Sequence, residues 1–268
     1  MAIAGLMAIW LLASPSFALA ASGGSLQNPA GFSPLLSITP AEVWVDSTYT
    51  ALSCGGHTWG VDAFTTVQAG INAVAAGGTV NVAAGTYAEN LTVGKSLSIL
   101  GPNASISPNG GTRAAEATIA PTTTAISATE NTITVVVKGV TLNGAGASGS
   151  GFYAGTHDTT WTFEHIINTS FNGYPYAGWY IGSPNAYSFD LNVLDNYFTG
   201  QTDTGSNGLM IDTGAVVDLN IQDNVWKNNA SNVMNINGAR GTIANNLFLD
   251  TRTGITNAER QRGFMLAN

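Results

Sequence analysis

Three charged side chains recur at the same point of a repeated phrase. Asp190 opens Asp190-Leu191-Asn192-Val193, Asp218 opens Asp218-Leu219-Asn220-Ile221, and Arg240 opens Arg240-Gly241-Thr242-Ile243. If the phrases stack, two carboxylates and a guanidinium share one column. Adjacent carboxylates repel unless a cation, a shared proton or a guanidinium offsets their charge. Arg240 is placed to supply that charge, and a Ca²⁺ held by acidic oxygens is the alternative. Simple pairing of Arg240 with Asp218 on an outer face is the plainer expectation. No dedicated protein metal site is expected.

The second group is aromatic. Tyr174, Tyr176, Trp179 and Tyr180 form the densest ring-bearing stretch, set among Gly and Pro. Exposed rings stack on the apolar faces of sugars, so these four are the candidate carbohydrate-binding residues. In the competing reading, Trp179-Tyr180-Ile181 is a strand that buries alternate rings. The single cysteine, Cys54, lies just before His57 and has no second cysteine to join it in a metal site or an internal disulfide.

These groups need elements to hold them. The chain has 268 residues, a formal net charge of −8 and only 9% charged residues. A nucleic-acid partner is not expected, because phosphate neutralisation needs a basic face. The 32 glycines and the abundance of Asn, Thr and Ser disfavour long helices. Residues 1–20 form an apolar run ending Ala18-Leu19-Ala20, which reads as a signal peptide. A secreted or cell-surface location is therefore expected, with no membrane span after cleavage. Residues 21–42 read as a linker, and 43–268 as one repetitive domain.

The repeats define its period. Phe189 to Phe198 matches Val217 to Trp226 and then Arg240 to Phe248. Weaker copies end at Leu142 and Phe171, so Leu142, Phe171, Phe198, Trp226 and Phe248 are expected in one register. Phe163 and His165 are the nearest candidates for the columns of Asp190 and Asn192 in the preceding coil, a placement that would turn Glu164 inward. Leu191, Val193, Phe198, Leu219, Ile221 and Trp226 are expected inside. Asn196, Asn224 and Asn246 fall at one turn, where left-handed backbone and stacked amides are expected. A register recurring every roughly 20–30 residues is that of a solenoid, whereas a β-sandwich turns every 8–12 or so.

Upstream, Val67, Ile71 and Val74 share one helical face, and Gly77-Gly78 ends the helix. Short strands follow at Thr79–Val82, Leu91–Val93 and Leu97–Gly101. Residues 64–101 resemble the N-terminal cap and first coil of pectin-lyase-like proteins. That resemblance implies an all-β fold, a right-handed single-stranded parallel β-helix with an N-terminal amphipathic capping helix. It also implies polysaccharide or a surface glycan as partner. Enzymes of that type include lyases that use Ca²⁺ against a uronate carboxylate and a basic side chain against its α-proton. Asp190 and Asp218 are the candidates for the first role and Arg240 for the second. No complete catalytic motif of the pectin methylesterases, polygalacturonases or pectate lyases is present, so a non-catalytic adhesin-like or envelope module is the alternative. The chain ends at Asn268 in what reads as mid-coil, and further coils are expected in a longer parent protein.

Overall fold

The computed structural model describes residues 39–155, 157–169, 171, 177–183, 188–200, 207–228, 230, 232–249, 253–257 and 264–267. The chain divides at Ile38/Thr39. The leader and most of the linker expected from the sequence lie outside the described residues, as do Tyr174 and Tyr176.

The described residues form parallel ladders. The first sheet runs through Glu42–Val45, Gly78–Val82, Leu97–Leu100, Ile133–Lys138, Thr159–Glu164 and Ser188–Leu194. The second runs through Gly85–Tyr87, Ala117–Ile119, Thr141–Asn143, Ile167–Thr169, Tyr197–Thr199, Val225–Lys227 and Leu247–Leu249. The third runs through Leu91–Val93, Ile126–Ala128, Phe152–Ala154 and Ala177–Ser183. Two long strands, Asn207–Gln222 and Asn232–Ala244, continue the third sheet with their first halves and the first sheet with their second halves. Each coil thus visits three sheets in turn, and each named strand pairs in parallel with its counterparts in neighbouring coils.

Period-two alternation drives this. In Ser188–Leu194 the inward residues Phe189, Leu191 and Val193 are buried, and the residues between them face out. The same holds for Leu219 and Ile221, and Phe198 and Trp226 are buried on the second sheet. Neighbouring coils continue the core, so each coil buries its apolar face only because the next one is there. The Phe198 and Trp226 rings stack at 3.8 Å and 3°.

The helix Val67–Ala73 packs Val67, Gly70 and Ile71 inward. Thr66 caps it, accepting from Ala69 N–H at 3.3 Å. The Glu89 carboxylate accepts from Val67 N–H and Gln68 N–H, while Lys95 Nζ donates to the carbonyls of Asn72 and Val74. An acid at the N-terminus and a base at the C-terminus both oppose the helix dipole. No helix among the described residues is long and apolar enough to cross a membrane.

One coil departs from the expected register. Asp190 pairs with Thr160 rather than Phe163, and Asn192 with Thr162 rather than His165. Phe163 pairs with Val193 and is fully buried, while Glu164 faces out beside Lys138. The second sheet shows the same slip. Asn168, not Phe171, lies between Leu142 and Phe198. The reason is the loop content of the coil, which is longer than its repeats suggest. The hydrophobic alternation then favours a register that keeps Glu164 in water and Phe163 in the core.

Candidate functional site

The outer face of the first sheet carries the column Thr134, Thr160, Asp190, Asp218, Arg240. The sequence brings its three charged members together, each on an adjacent coil. Arg240 grips Asp218 with two nitrogens, Nε on Oδ1 and a terminal nitrogen on Oδ2, the latter at 2.7 Å. Asp190 Oδ2 accepts from Thr160 Oγ1 at 3.1 Å. The Arg240 hydrogen bonds hold the Asp218 carboxyl below its ordinary range, and the Asp218 carboxylate raises Arg240. A guanidinium so stabilised in its charged form is a ligand for carboxylates and a poor proton acceptor. The expected role of Arg240 as a base is therefore unsupported by its setting. Both side chains remain about half exposed, at 52% and 41%, so an anionic group arriving from solvent can reach them.

The next column runs Val136, Thr162, Asn192, Asn220, Thr242. Asn220 Nδ2 donates to Asn192 Oδ1 at 3.3 Å. Together the columns make a polar strip of hydroxyls, amides and one ion pair. A Ca²⁺ in these columns would find Asp190 and Asp218 as its carboxylates, with Asp218 already engaged. Among the described residues no cluster of three or more His, Cys, Asp or Glu is grouped to hold a metal.

The aromatic candidates separate. Trp179 is fully buried and its indole N–H donates to Asn168 Oδ1 at 2.8 Å. Its ring packs on Phe163 and Phe198 at 4.3 and 5.0 Å. As a core residue it is out of reach of a sugar, because alternation along Ala177–Ser183 sends 179 and 181 inward and 180 outward. Tyr180 lies outward and pairs with Tyr153 on the preceding coil. The two rings are near-parallel, 5.7 Å apart at 23°, and Tyr153 is 40% exposed.

Each ring lies over the glycine that follows it in the outward direction of its strand. A Cβ at Gly155 would meet the Tyr153 hydroxyl end at 2.7 Å, and one at Gly182 would meet that of Tyr180. The phrase Tyr-x-Gly at 153–155 and 180–182 therefore leaves room for two rings to lie along the strand. Tyr153 was not among the aromatic candidates. The signal was available in the recurrence of that phrase at 153–155 and 180–182.

A second polar cluster sits at the corner between the first and second sheets. The left-handed turn position is occupied by Gly139, His165, Asp195, Asp223 and Asn245 in successive coils, with φ between 50° and 64°. The strain thus falls one residue before the stacked asparagines, not on them. His165 Nδ1 lies 2.9 Å from the Ala104 carbonyl. That contact needs the proton on Nδ1. Nε2 lies 3.4 Å from Asp195 Oδ2 and 3.8 Å from Glu164 Oε1. Ser107 and Asn109 donate to Asp195, and Arg113 pairs with Glu116 and donates to the His165 carbonyl. Residues 102–116 are thereby strapped across the turns. Because each of these polar groups is spoken for within the protein, the cluster reads as a clasp.

Cys54 Sγ lies 2.9 Å from the His57 carbonyl, and the His57 imidazole stacks on Trp44 at 3.9 Å. The pair forms a loop contact.

No protein-family model, curated protein or solved structure matches the chain.

Proposed function

We propose that the chain is a secreted or cell-surface β-helix, right-handed and pectin-lyase-like, that binds polysaccharide on its outer faces. The observation carrying this is the outward Tyr153–Tyr180 pair. Two near-parallel rings on adjacent coils, kept low by Gly155 and Gly182, form a platform for the apolar faces of successive sugars. The polar strip on the first sheet offers hydroxyl and amide partners for sugar hydroxyls. Tyr174 and Tyr176 come shortly before Tyr180 and extend the aromatic supply in sequence. The helix Val67–Ala73 fits the capping role: the Gln68 side-chain amide donates to Thr92 O and accepts from Thr92 N–H, imitating a neighbouring strand.

The experiment is affinity electrophoresis of the full chain through gels holding a panel of neutral and acidic polysaccharides. Tyr153→Ala with Tyr180→Ala should clearly weaken retardation by the retained polysaccharide while the thermal midpoint stays within a few degrees. Unchanged retardation of the double variant would sink the reading.

Processing of the glycan, lyase- or hydrolase-like, is the second reading. It is favoured by the alignment of Asp190, Asp218 and Arg240, which places a guanidinium beside two carboxylates on one exposed face. In it, Arg240 orients a uronate carboxylate. Unsaturated product absorbance on a uronan panel, with and without Ca²⁺, separates this from the adhesin-like alternative.

A further inference from the structure

A groove of about 610 Å³ crosses the N-terminal end of the first sheet, far along the chain from the tyrosine pair. Its floor is one outward column: Trp44 pairs with Asn81, and Asn81 with Leu100. One wall is Tyr49, from the excursion that leaves the first strand. The other is the segment 101–115, which contributes Pro102 and Ala114. The volume lies within the roughly 300–1,000 Å³ typical of small-ligand sites.

The groove is preformed. Asn103 is fully buried and staples the neck of its segment, accepting from Ala114 N–H at 2.7 Å and donating to Ala114 O at 3.1 Å. The indole of Trp44 is held by the His57 ring at 3.9 Å and 15°. Walls and ring are thus fixed before any ligand arrives, which removes part of the ordering cost of binding.

Its chemistry is uncharged. Among the described residues, no Asp, Glu, Lys, Arg or His lines it. Carboxylates stand close to Tyr49: burial, with Asp46 and Asp62, raises the pKa of its phenol. That phenol therefore stays neutral and available as a donor, and an anion entering beside it meets like charge. Two aromatic rings flank a single amide, Asn81, over a floor and walls of alanine, valine, leucine and proline. Stacking surface with sparse hydrogen-bonding groups suits a pyranose ring presented by its apolar face.

We propose that this groove is a second glycan site, one that takes an uncharged sugar segment and rejects uronates. This rests on the polysaccharide-binding reading and assigns it a substrate class and a place on the molecule.

The test is calorimetric titration of the full chain with cellohexaose, xylohexaose and hexagalacturonate. At least one neutral oligosaccharide should bind about tenfold or more tighter than hexagalacturonate. Ala114→Trp, at an exposed wall position, fills the groove and should cost that affinity about tenfold with an unchanged melting curve. Asn81→Asp should weaken hexagalacturonate further by charge, and the neutral ligand only through loss of the amide donor. The Tyr153→Ala, Tyr180→Ala variant is titrated in parallel, and Leu247→Ala, exposed and outside both sites, should leave the hexasaccharide affinity within about twofold. Equal or tighter binding of hexagalacturonate overturns the proposal, and so does an Ala114→Trp protein that binds as the wild type does. If the tyrosine variant alone loses binding, the groove falls and the broader reading stands. If the wild type binds none of these oligosaccharides and no polysaccharide, both fall.

Discussion

At the scale of single residues, the exposed Arg240–Asp218 pair has a consequence for acid stability. The folded-state pKa of Asp218 is depressed, chiefly by its hydrogen bonds to Arg240. A depressed carboxyl contributes stability that is fully present above its unfolded value of about 3.9 and is lost as pH falls through the lowered value. Arg240→Ala should therefore reduce the thermal midpoint slightly at neutral pH and not at all at the acid end. Thermal melts from neutral to about pH 2.5, comparing this variant with wild type, should converge as Asp218 protonates. The effect is small because solvent screens an exposed pair. Curves that stay parallel down to the lowest pH would show that the pair contributes nothing through Asp218. The column itself was legible in the sequence, since the phrases around 190, 218 and 240 share their apolar alternation. The plainer expectation for Arg240, pairing with Asp218, is also what the structure shows, whereas its two-nitrogen geometry depends on which side-chain rotamers the adjacent coils permit.

At the scale of elements, the asparagine ladder ties the coils together at one corner. Asn224 Nδ2 donates to Val193 O, Gln222 O and Asn246 Oδ1, and its Oδ1 accepts from Asn196 N–H and Nδ2. Asn196 repeats the pattern one coil earlier, accepting from Ile166 N–H at 2.7 Å. All three amides are buried. Asn224→Ala strands several buried polar groups at once, and each costs about 1–3 kcal/mol. A loss of at least about 3 kcal/mol in urea unfolding is expected, and Asn224→Asp should fare no better, since it loses the donors. A loss below about 1 kcal/mol would mean that the ladder is redundant. The strained residues beside the ladder were misplaced by one position from sequence. Asp195, Asp223 and Asn245 take the left-handed backbone, which lets the following Asn turn inward.

At the scale of the whole molecule, each coil rests only on its neighbours, so a complete coil is removable. Residues 190–217 carry one full circuit of three sheets, and Asp218 occupies the place of Asp190 in register. Deleting them joins Phe189 to Asp218 and sets Asp218 on Thr160, with Trp226 meeting Asn168. Nearest-neighbour stacking predicts a folded variant with undiminished strand content per residue and a cooperative transition. Circular dichroism and a thermal melt check this, and a molten or aggregated product would count against a solenoid whose stability is the sum of coil-to-coil terms. The joint has one weak point. Trp179 would keep Asn168 as its partner but meet the larger Trp226 ring in the place of Phe198, a fit the native packing was not shaped for. A midpoint several degrees lower is expected on that account.

Sequence alone was enough for the class of fold and the period of its later coils. Alternation of apolar residues sets which side chains face inward, and the recurrence of one phrase at positions 190, 218 and 240 sets which of them stack. Both are local properties of the chain. Asp190, Asp218 and Arg240 could be aligned on that basis. What lay beyond the repeats came from the tertiary fold. It moved Phe163 and Phe171 out of their expected columns, buried Trp179 and brought Tyr153 beside Tyr180. It also laid residues 102–116 across the turns at His165 and Asp195, which closed a groove over Trp44. The physical reason is that loop lengths between strands are free to vary while the core register is not. A coil with a long loop keeps its alternation but hides its offset. Contacts made by such a loop then depend on where it lands in space, which no local pattern encodes.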